Sequence, residues 1–202
     1  MACQSPGGHR IDSSRDTLGR QDNHLDSRSH RSFAMPKIHL RPPGPGDEAT
    51  FLNLVRASRA LHALWVKPPA TPEQFSAYLD RADQDDMACF LVTEPSSGAL
   101  CGVINLSNIV RGAFRSAYMG YYGFAPMAGQ GYMRAGIKAV LREAFGNLGL
   151  HRVEANIQPG NVASIALVRA CGFMLEGYSP RYLKIGGRWR DHERWARVSD
   201  LR

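Results

Sequence analysis

Apolar side chains recur at Ile137, Val140, Leu141, Ala144, Phe145 and Leu148, in steps of three and four. Such steps put all six on one stripe of an α-helix and predict a helix laid against a core. Gly146 weakens its last turn, and Gly149 is placed to end it. A looser stripe over residues 46–65 (Phe51, Leu52, Val55, Leu61, Leu64) predicts a first helical region after an acidic turn at Asp47 and Glu48. Residues 71–82 predict a second helix, with Thr71 as N-cap, Pro72 at the first helical position and Glu73 in the first turn. Residues 37–41, 89–93, 100–109 and 115–124 read as strands, with turn residues at 95–98. Val153, Ala155 and Ile157 alternate as another strand. Asn161 then caps a short helix that carries Ile165 and Val168 inward and stops at Gly172. Residues 173–176 form a strand, and 182–185 and 188–196 flank Gly186-Gly187, a pair suited to a two-residue hairpin. The order predicts an α+β domain, a mixed sheet with helices packed on its faces.

Before residue 35 the pattern vanishes. Residues 1–34 are rich in Ser, Arg, Asp, Gly and Gln and hold few large apolar side chains, too few to order a chain. Met35 then opens Met-Pro-Lys-Ile-His-Leu, which reads as the start of a domain at 35–202. Two accounts of residues 1–34 stand side by side: a disordered extension, or a start assigned too far upstream. Hydrophobic content of 44% with 21% charged residues belongs to the globular class. The apolar runs are too short to span a bilayer, and no secretory h-region follows the first residues, so the reading is cytoplasmic. A net charge of +7 favours an anionic partner. The basic residues are scattered, however, so a polyphosphate ligand or the ribosome satisfies the charge, and direct nucleic-acid binding is not expected. Cys3, Cys89, Cys101 and Cys171 form no C-x-x-C pair and no metal spacing with histidine, which reads as reduced thiols and no metal site.

The candidate chemistry begins at Phe124-Ala125-Pro126-Met127-Ala128-Gly129-Gln130-Gly131-Tyr132-Met133. A glycine turn at a helix start exposes backbone N–H groups that have no intrahelical acceptor, and the helix dipole adds positive charge there. A phosphate or pyrophosphate suits that place. Gly129, Gln130, Gly131, Tyr132 and Met133 supply the amides. A Walker loop would need Gly-Lys-Ser/Thr, which is absent, and a dinucleotide fingerprint would want glycine where Arg134 stands. A turn that merely begins a helix is the plain alternative.

Strand, proline, glycine loop and helix, followed by strand, Asn, helix and Gly-Phe, resemble the GCN5-related N-acetyltransferases, which bind acetyl-coenzyme A. The ribosomal-protein N-terminal acetyltransferase branch is the most similar. Its likeness rests on Gly131-Tyr132-Met133, His151 to Asn156, Asn161 to Ser164, Cys171-Gly172-Phe173, Leu175-Glu176-Gly177, and the tail Tyr182 to Ile185 with Gly187 and Trp189 to His192. It covers the chain from about Met35 onward. Ala128 departs from it, standing where the family usually has Gln or Arg, and the loop from Pro126 is one residue short. Val168 departs too, at the place where many members carry a tyrosine acid.

The resemblance implies a mostly antiparallel central sheet with two strands splayed apart and pantetheine laid between them. Backbone groups of Tyr122, Gly123 and Phe124 would pair with the pantetheine, and the Phe124 N–H would serve the oxyanion. Ser164 is implied as the acid for the leaving thiolate; the alternative is a serine bonding back to its own helix. Asn161 is an N-cap that by resemblance also touches the cofactor arm. Glu154 is the carboxylate candidate for a base, against the alternative of a salt-bridged glutamate. Asp191 and His192 are strand neighbours pointing to opposite faces, so they form no dyad. His192 reads as a strand histidine with a local partner, Cys171 as packing. Tyr118, Tyr121, Tyr122, Tyr178 and Tyr182 are candidate walls of the acceptor cleft. The implied activity is direct transfer of acetyl from acetyl-CoA to a primary amine, with the N-terminal Ala or Ser of a ribosomal protein favoured. A small-molecule amine and a non-catalytic CoA-binding module are the alternatives.

Overall fold

The computed structural model describes residues 35–200, so both accounts of residues 1–34 fall outside the described residues. The strands are β1 (His39–Arg41), β2 (Ala88–Thr93), β3 (Leu100–Val110), β4 (Ser116–Gly123), β5 (Arg152–Ile157), β6 (Met174–Ile185) and β7 (Arg188–Val198). The helices are α1 (Glu48–Ala57), α2 (Arg59–His62), α3 (Pro72–Ala82), α4 (Tyr132–Phe145) and α5 (Val162–Ala170). The strands form one sheet in the order β1-β2-β3-β4-β5-β7-β6. Every neighbouring pair is antiparallel except β4 and β5. A parallel pair needs a crossover, and α4 supplies it.

The β4–β5 pairing is short. It joins Ser116 to Arg152, Ala117 to Val153 and Tyr118 to Glu154, and goes no further. Beyond it β4 runs on to Gly123 beside β3, and β5 to Ile157 beside β7. The two strands therefore part and leave a wedge in the middle of the sheet.

Alternation along the strands makes two cores. Ile104, Leu106, Met119, Val153 and Ala155 pack with Ile137, Val140 and Val168 of α4 and α5. Leu91, Leu100, Val103 and Phe124 pack with Phe51, Val55 and Phe75 of α1 and α3. Helices thus cover both faces of the sheet. A Cβ added at Gly136 would meet Val92 Cγ2 at 2.8 Å, so that glycine sets how closely α4 lies on the sheet.

Several boundaries differ from the sequence expectation. The helical region 46–65 breaks at Ser58, whose backbone leaves the helix (φ −100°, ψ 10°) while its N–H still reaches the Leu54 and Val55 carbonyls. Helix α4 ends at Phe145, with Gly146 as its cap, although Leu148 still packs on the same core from the turn beyond. The strands expected at 173–176 and 182–185 are one long β6. Its pairing with β7 shifts between Ser179 and Leu183, around Pro180 and the positive φ (49°) of Arg181. A proline cannot donate to the ladder, so the strand reads as broken in sequence and is bulged in space. Thr71 caps α3, its hydroxyl accepting from Gln74 N at 3.3 Å.

Candidate active site

The wedge opens into a cleft of about 540 Å³. Strand alternation sorts its lining into two sides. Tyr121, Ala155 and Ile157 share the α4–α5 side with Ser164, Leu167 and Met133. Tyr122, Asn156 and His192 point to the other side, where Leu61, His62 and Trp65 close the cleft.

At one end lies the start of α4. Gly129 and Gly131 take left-handed φ values of 75° and 85°, which turn successive N–H groups to one side. Ala128 N still bonds Ala125 O, and Ala135 N bonds Gly131 O. Between them, the amides of residues 129–134 have no acceptor among the described residues. Gly129, Gly131, Tyr132 and Met133 line the cleft as expected, and Arg134 joins them. A cation in the first turn opposes the helix dipole unless an anion sits there, and that mismatch was the sequence signal for Arg134. The Gln130 side chain is exposed and folds back, donating to Pro126 O at 3.1 Å, and, unlike its neighbours, the expected Gln130 lies outside the cleft lining.

Along β4 the ladder decides which backbone groups are free. Phe124 N donates to Cys101 O at 2.9 Å, opposite in register. In an antiparallel pair the direction alternates, so the N–H groups of Phe124 and Tyr122 turn toward β3. Those of Gly123 and Tyr121 face the wedge. This corrects the expected role of Phe124: its amide is occupied, and its ring is fully buried beside Phe51 and outside the cleft lining. The Gly123 carbonyl accepts from His62 Nε2 at 2.8 Å, and Ala125 N donates to the buried Ser58 hydroxyl at 2.9 Å. Sequence reasoning missed both anchors. Their signal was that Ser58 and His62 continue the inward stripe of Val55, polar residues at buried positions.

Ser164 lies in the first turn of α5, where its N–H donates to the Asn161 side chain at 3.2 Å. Its hydroxyl is 2.5 Å from Tyr121 Oη. The serine thus engages a tyrosine across the cleft rather than its own helix. Burial pushes the Tyr121 phenol up to about 12, so it remains protonated at neutral pH and able to donate. Val168 is wholly buried in the core and has no part in the cleft. Cys171 is also buried, and burial raises its thiol, as suits packing.

Glu154 does not line the cleft. Its carboxylate accepts from Arg152 Nε at 2.8 Å, and the same guanidinium forks onto Glu176. Two residues apart on one strand face the same way, so Arg152 was placed to neutralise it. This corrects the expected base. His192 does line the cleft and is 3% exposed; its Nδ1 donates to Arg190 O at 2.9 Å. Asn156 Oδ1 and His62 Nδ1, on two residues of the cleft lining, are buried without a hydrogen-bond partner. Buried polar atoms in native proteins are paired as a rule, so these two, enclosed beside the cleft, are exceptions.

A roof crosses the acceptor end. Gln158 Nε2 donates to Leu64 O at 3.3 Å, and a Cβ at Gly160 would stand 3.4 Å from the Trp65 ring. The segment after α2 therefore bridges to the loop between β5 and α5.

The family model described as acetyltransferase (GNAT) domain matches residues 37–174. The chain belongs to the GNAT acetyltransferase family. It is 39% identical to the [Ribosomal protein uS5]-alanine N-acetyltransferase of Escherichia coli over 51% of this chain, an alignment spanning 53% of that relative. It is 24% identical to the spermidine N(1)-acetyltransferase of Vibrio cholerae over 78% of this chain and 91% of that one. Among solved structures, Mycobacterium smegmatis RimJ in complex with CoA-disulfide superposes with a TM-score of 0.74 at 28% identity, covering 82% of this chain and 83% of RimJ. Against the uS5-alanine enzyme, then, the chain spans about half the relative's length. No helix of this GNAT domain is long and apolar enough to cross a membrane among the described residues.

Proposed function

We propose that this GNAT domain is a cytoplasmic acetyl-CoA-dependent enzyme that acetylates the α-amine of a protein N-terminus, with an Ala or Ser terminus of a ribosomal protein as the favoured acceptor. The observation that carries the choice of acceptor is charge: among the described residues, no Asp or Glu lines the cleft. A polyamine is a polycation and would enter a site without a counter-charge. Its amines, like that of lysine near 10.4, would also need a strong base. An α-amine has a pKa of about 7.7–8.0, so part of it is neutral at pH 7 and a weak base suffices. The net charge of +7 assists encounter with an anionic ribosome.

The residues present fit acetyl-CoA. The amides of residues 129–134, with Arg134, would hold its diphosphate, and the wedge-facing backbone groups of Tyr121 would pair with its pantetheine arm. The co-substrate supplies the activated acetyl group. Gly123 N–H is the preset donor for the oxyanion. Ser164 Oγ gives a proton to the departing sulfur, and Tyr121 holds that hydroxyl in place. Asn161 keeps its side-chain oxygen on the α5 cap, so any contact with the arm uses its other atoms.

The roof of Trp65 over Gly160 favours a second reading, a small amine enclosed beneath it. Thiol release from acetyl-CoA with short Ala- or Ser-terminated peptides, set against spermidine and single amino acids, separates the two. The proposal expects turnover on the peptides. Turnover on spermidine alone would replace the acceptor, and CoA binding without turnover on any amine would replace the enzyme by a sensor.

A further inference from the structure

Among the titratable side chains that line the cleft, His192 stands apart. His192 is almost fully buried, lies on the acceptor side of the wedge, and has one ring nitrogen committed. Its partner is a carbonyl, Arg190 O, which can only accept; Nδ1 therefore carries the hydrogen of the neutral ring. Nε2 keeps its lone pair. Among the described residues it has no protein partner, and the residue lines the cleft. The other histidine of the lining is arranged the opposite way: His62 gives its Nε2 hydrogen to Gly123 O, and its Nδ1 is sealed from solvent. Among the described residues no carboxylate side chain lines the cleft, and Glu154 is paired with Arg152.

From this arrangement we infer that His192 accepts the proton of the acceptor amine through Nε2. The inference rests on the acyl-transfer reading above. As the nitrogen lone pair closes on the thioester carbon, the N–H proton passes to Nε2 and the C–S bond opens. The sulfur leaves with a proton from Ser164 Oγ, and both side chains then exchange protons with water. The Arg190 carbonyl fixes the tautomer and the ring plane. The groups around the imidazole are the Tyr182 ring on β6, 6.1 Å away by centroid, Asp191, Arg190 and Arg194 along β7, and His62 and Tyr122 in the cleft lining. The Asp191 carboxylate is held by Tyr178 Oη and Arg181 N. Burial holds the imidazole below its ordinary 6.5, so the ring is neutral and able to accept at pH 7.

The test is His192→Asn, whose side-chain amide keeps a donor for Arg190 O while removing Nε2. With acetyl-CoA and an Ala-terminated peptide, kcat falls about 10²-fold, KM for acetyl-CoA stays, and CoA binding by calorimetry matches wild type. Wild-type kcat declines on the acid side of the ordinary imidazole range as the ring takes a proton, the variant loses that limb, and added imidazole restores part of its rate. A variant with wild-type kcat and the same limb overturns the inference while leaving the acyl-transfer reading intact. If the variant fails to bind CoA, His192→Gln, which also lacks a basic ring nitrogen, takes its place: wild-type kcat in that variant overturns the inference, and a loss of about 10²-fold with CoA binding intact supports it. A wild-type protein that acetylates no amine removes both.

Discussion

The two ends of the cleft are built from different materials. The α4 end is backbone: amides freed by two left-handed glycines and a helix start, all within residues 129–134. The acceptor end is side chains drawn from far apart in the chain, His62 and Trp65 from the α2 region, Asn156 from β5, His192 from β7. In the proposed reading the backbone amides hold what every acyl-CoA shares. In the same reading the side chains under the roof face what differs between acceptors. Within one fold the first end can stay constant while the second changes, which accords with the presence of both a uS5-alanine enzyme and a spermidine enzyme among the relatives. On that reading, charge at the acceptor end carries the substrate question.

Substitutions at the two ends must separate in what they change. Ser164→Ala, at the seam, should lower kcat by about 10²-fold or more in thiol-release assays and leave CoA affinity alone. Wild-type turnover in that variant would remove the proposed acid. Gly131→Val forces a β-branched residue to a φ of 85° and brings its Cβ to 3.3 Å from Pro36 Cδ. At about 1–3 kcal/mol of strain, CoA binding measured by calorimetry weakens roughly tenfold to hundredfold. An unaltered Kd would show that these amides are not the grip. Tyr121→Phe removes the hydroxyl on Ser164 and should reduce kcat roughly tenfold, with KM for acetyl-CoA held. Thr71→Ala lies away from both ends; it should lower stability by about 1 kcal/mol in denaturant melts with turnover unchanged, and a loss of turnover would couple α3 to the site.

The smallest effect concerns pH. The Arg41 guanidinium beside Asp47 holds that carboxyl below its ordinary range. A depressed folded-state pKa adds stability above the unfolded value, lost as pH falls through the folded one. Because Arg41 is 38% exposed, Asp47→Asn should cost less than about 1 kcal/mol at pH 7 and nothing in strong acid. An equal cost at both pH values would assign the effect to packing instead.

The α4 end was legible in the sequence because its determinants are local: glycine spacing, a helix stripe and a dipole. The Asn161 cap and the Ser164 position were legible for the same reason. The Phe124 assignment failed on a single residue of ladder parity, which depends on how β4 meets β3 and leaves no trace in composition. Glu154 was correctly placed on the face opposite Val153 and Ala155, but Arg152 two residues earlier shares that face and claims it. His192 read as a strand histidine with a local partner. That partner exists, and because it fixes the tautomer it leaves the other nitrogen its lone pair, on a residue that lines the cleft. His62 was invisible because its value lies in a contact 61 residues away, with the Gly123 carbonyl.

The most direct measurement is mass spectrometry of an Ala-terminated peptide incubated with the enzyme and acetyl-CoA, with spermidine present in the same tube. The account predicts one acetyl group on the peptide's terminal nitrogen and unmodified spermidine. Acetylated spermidine beside an untouched peptide would contradict it.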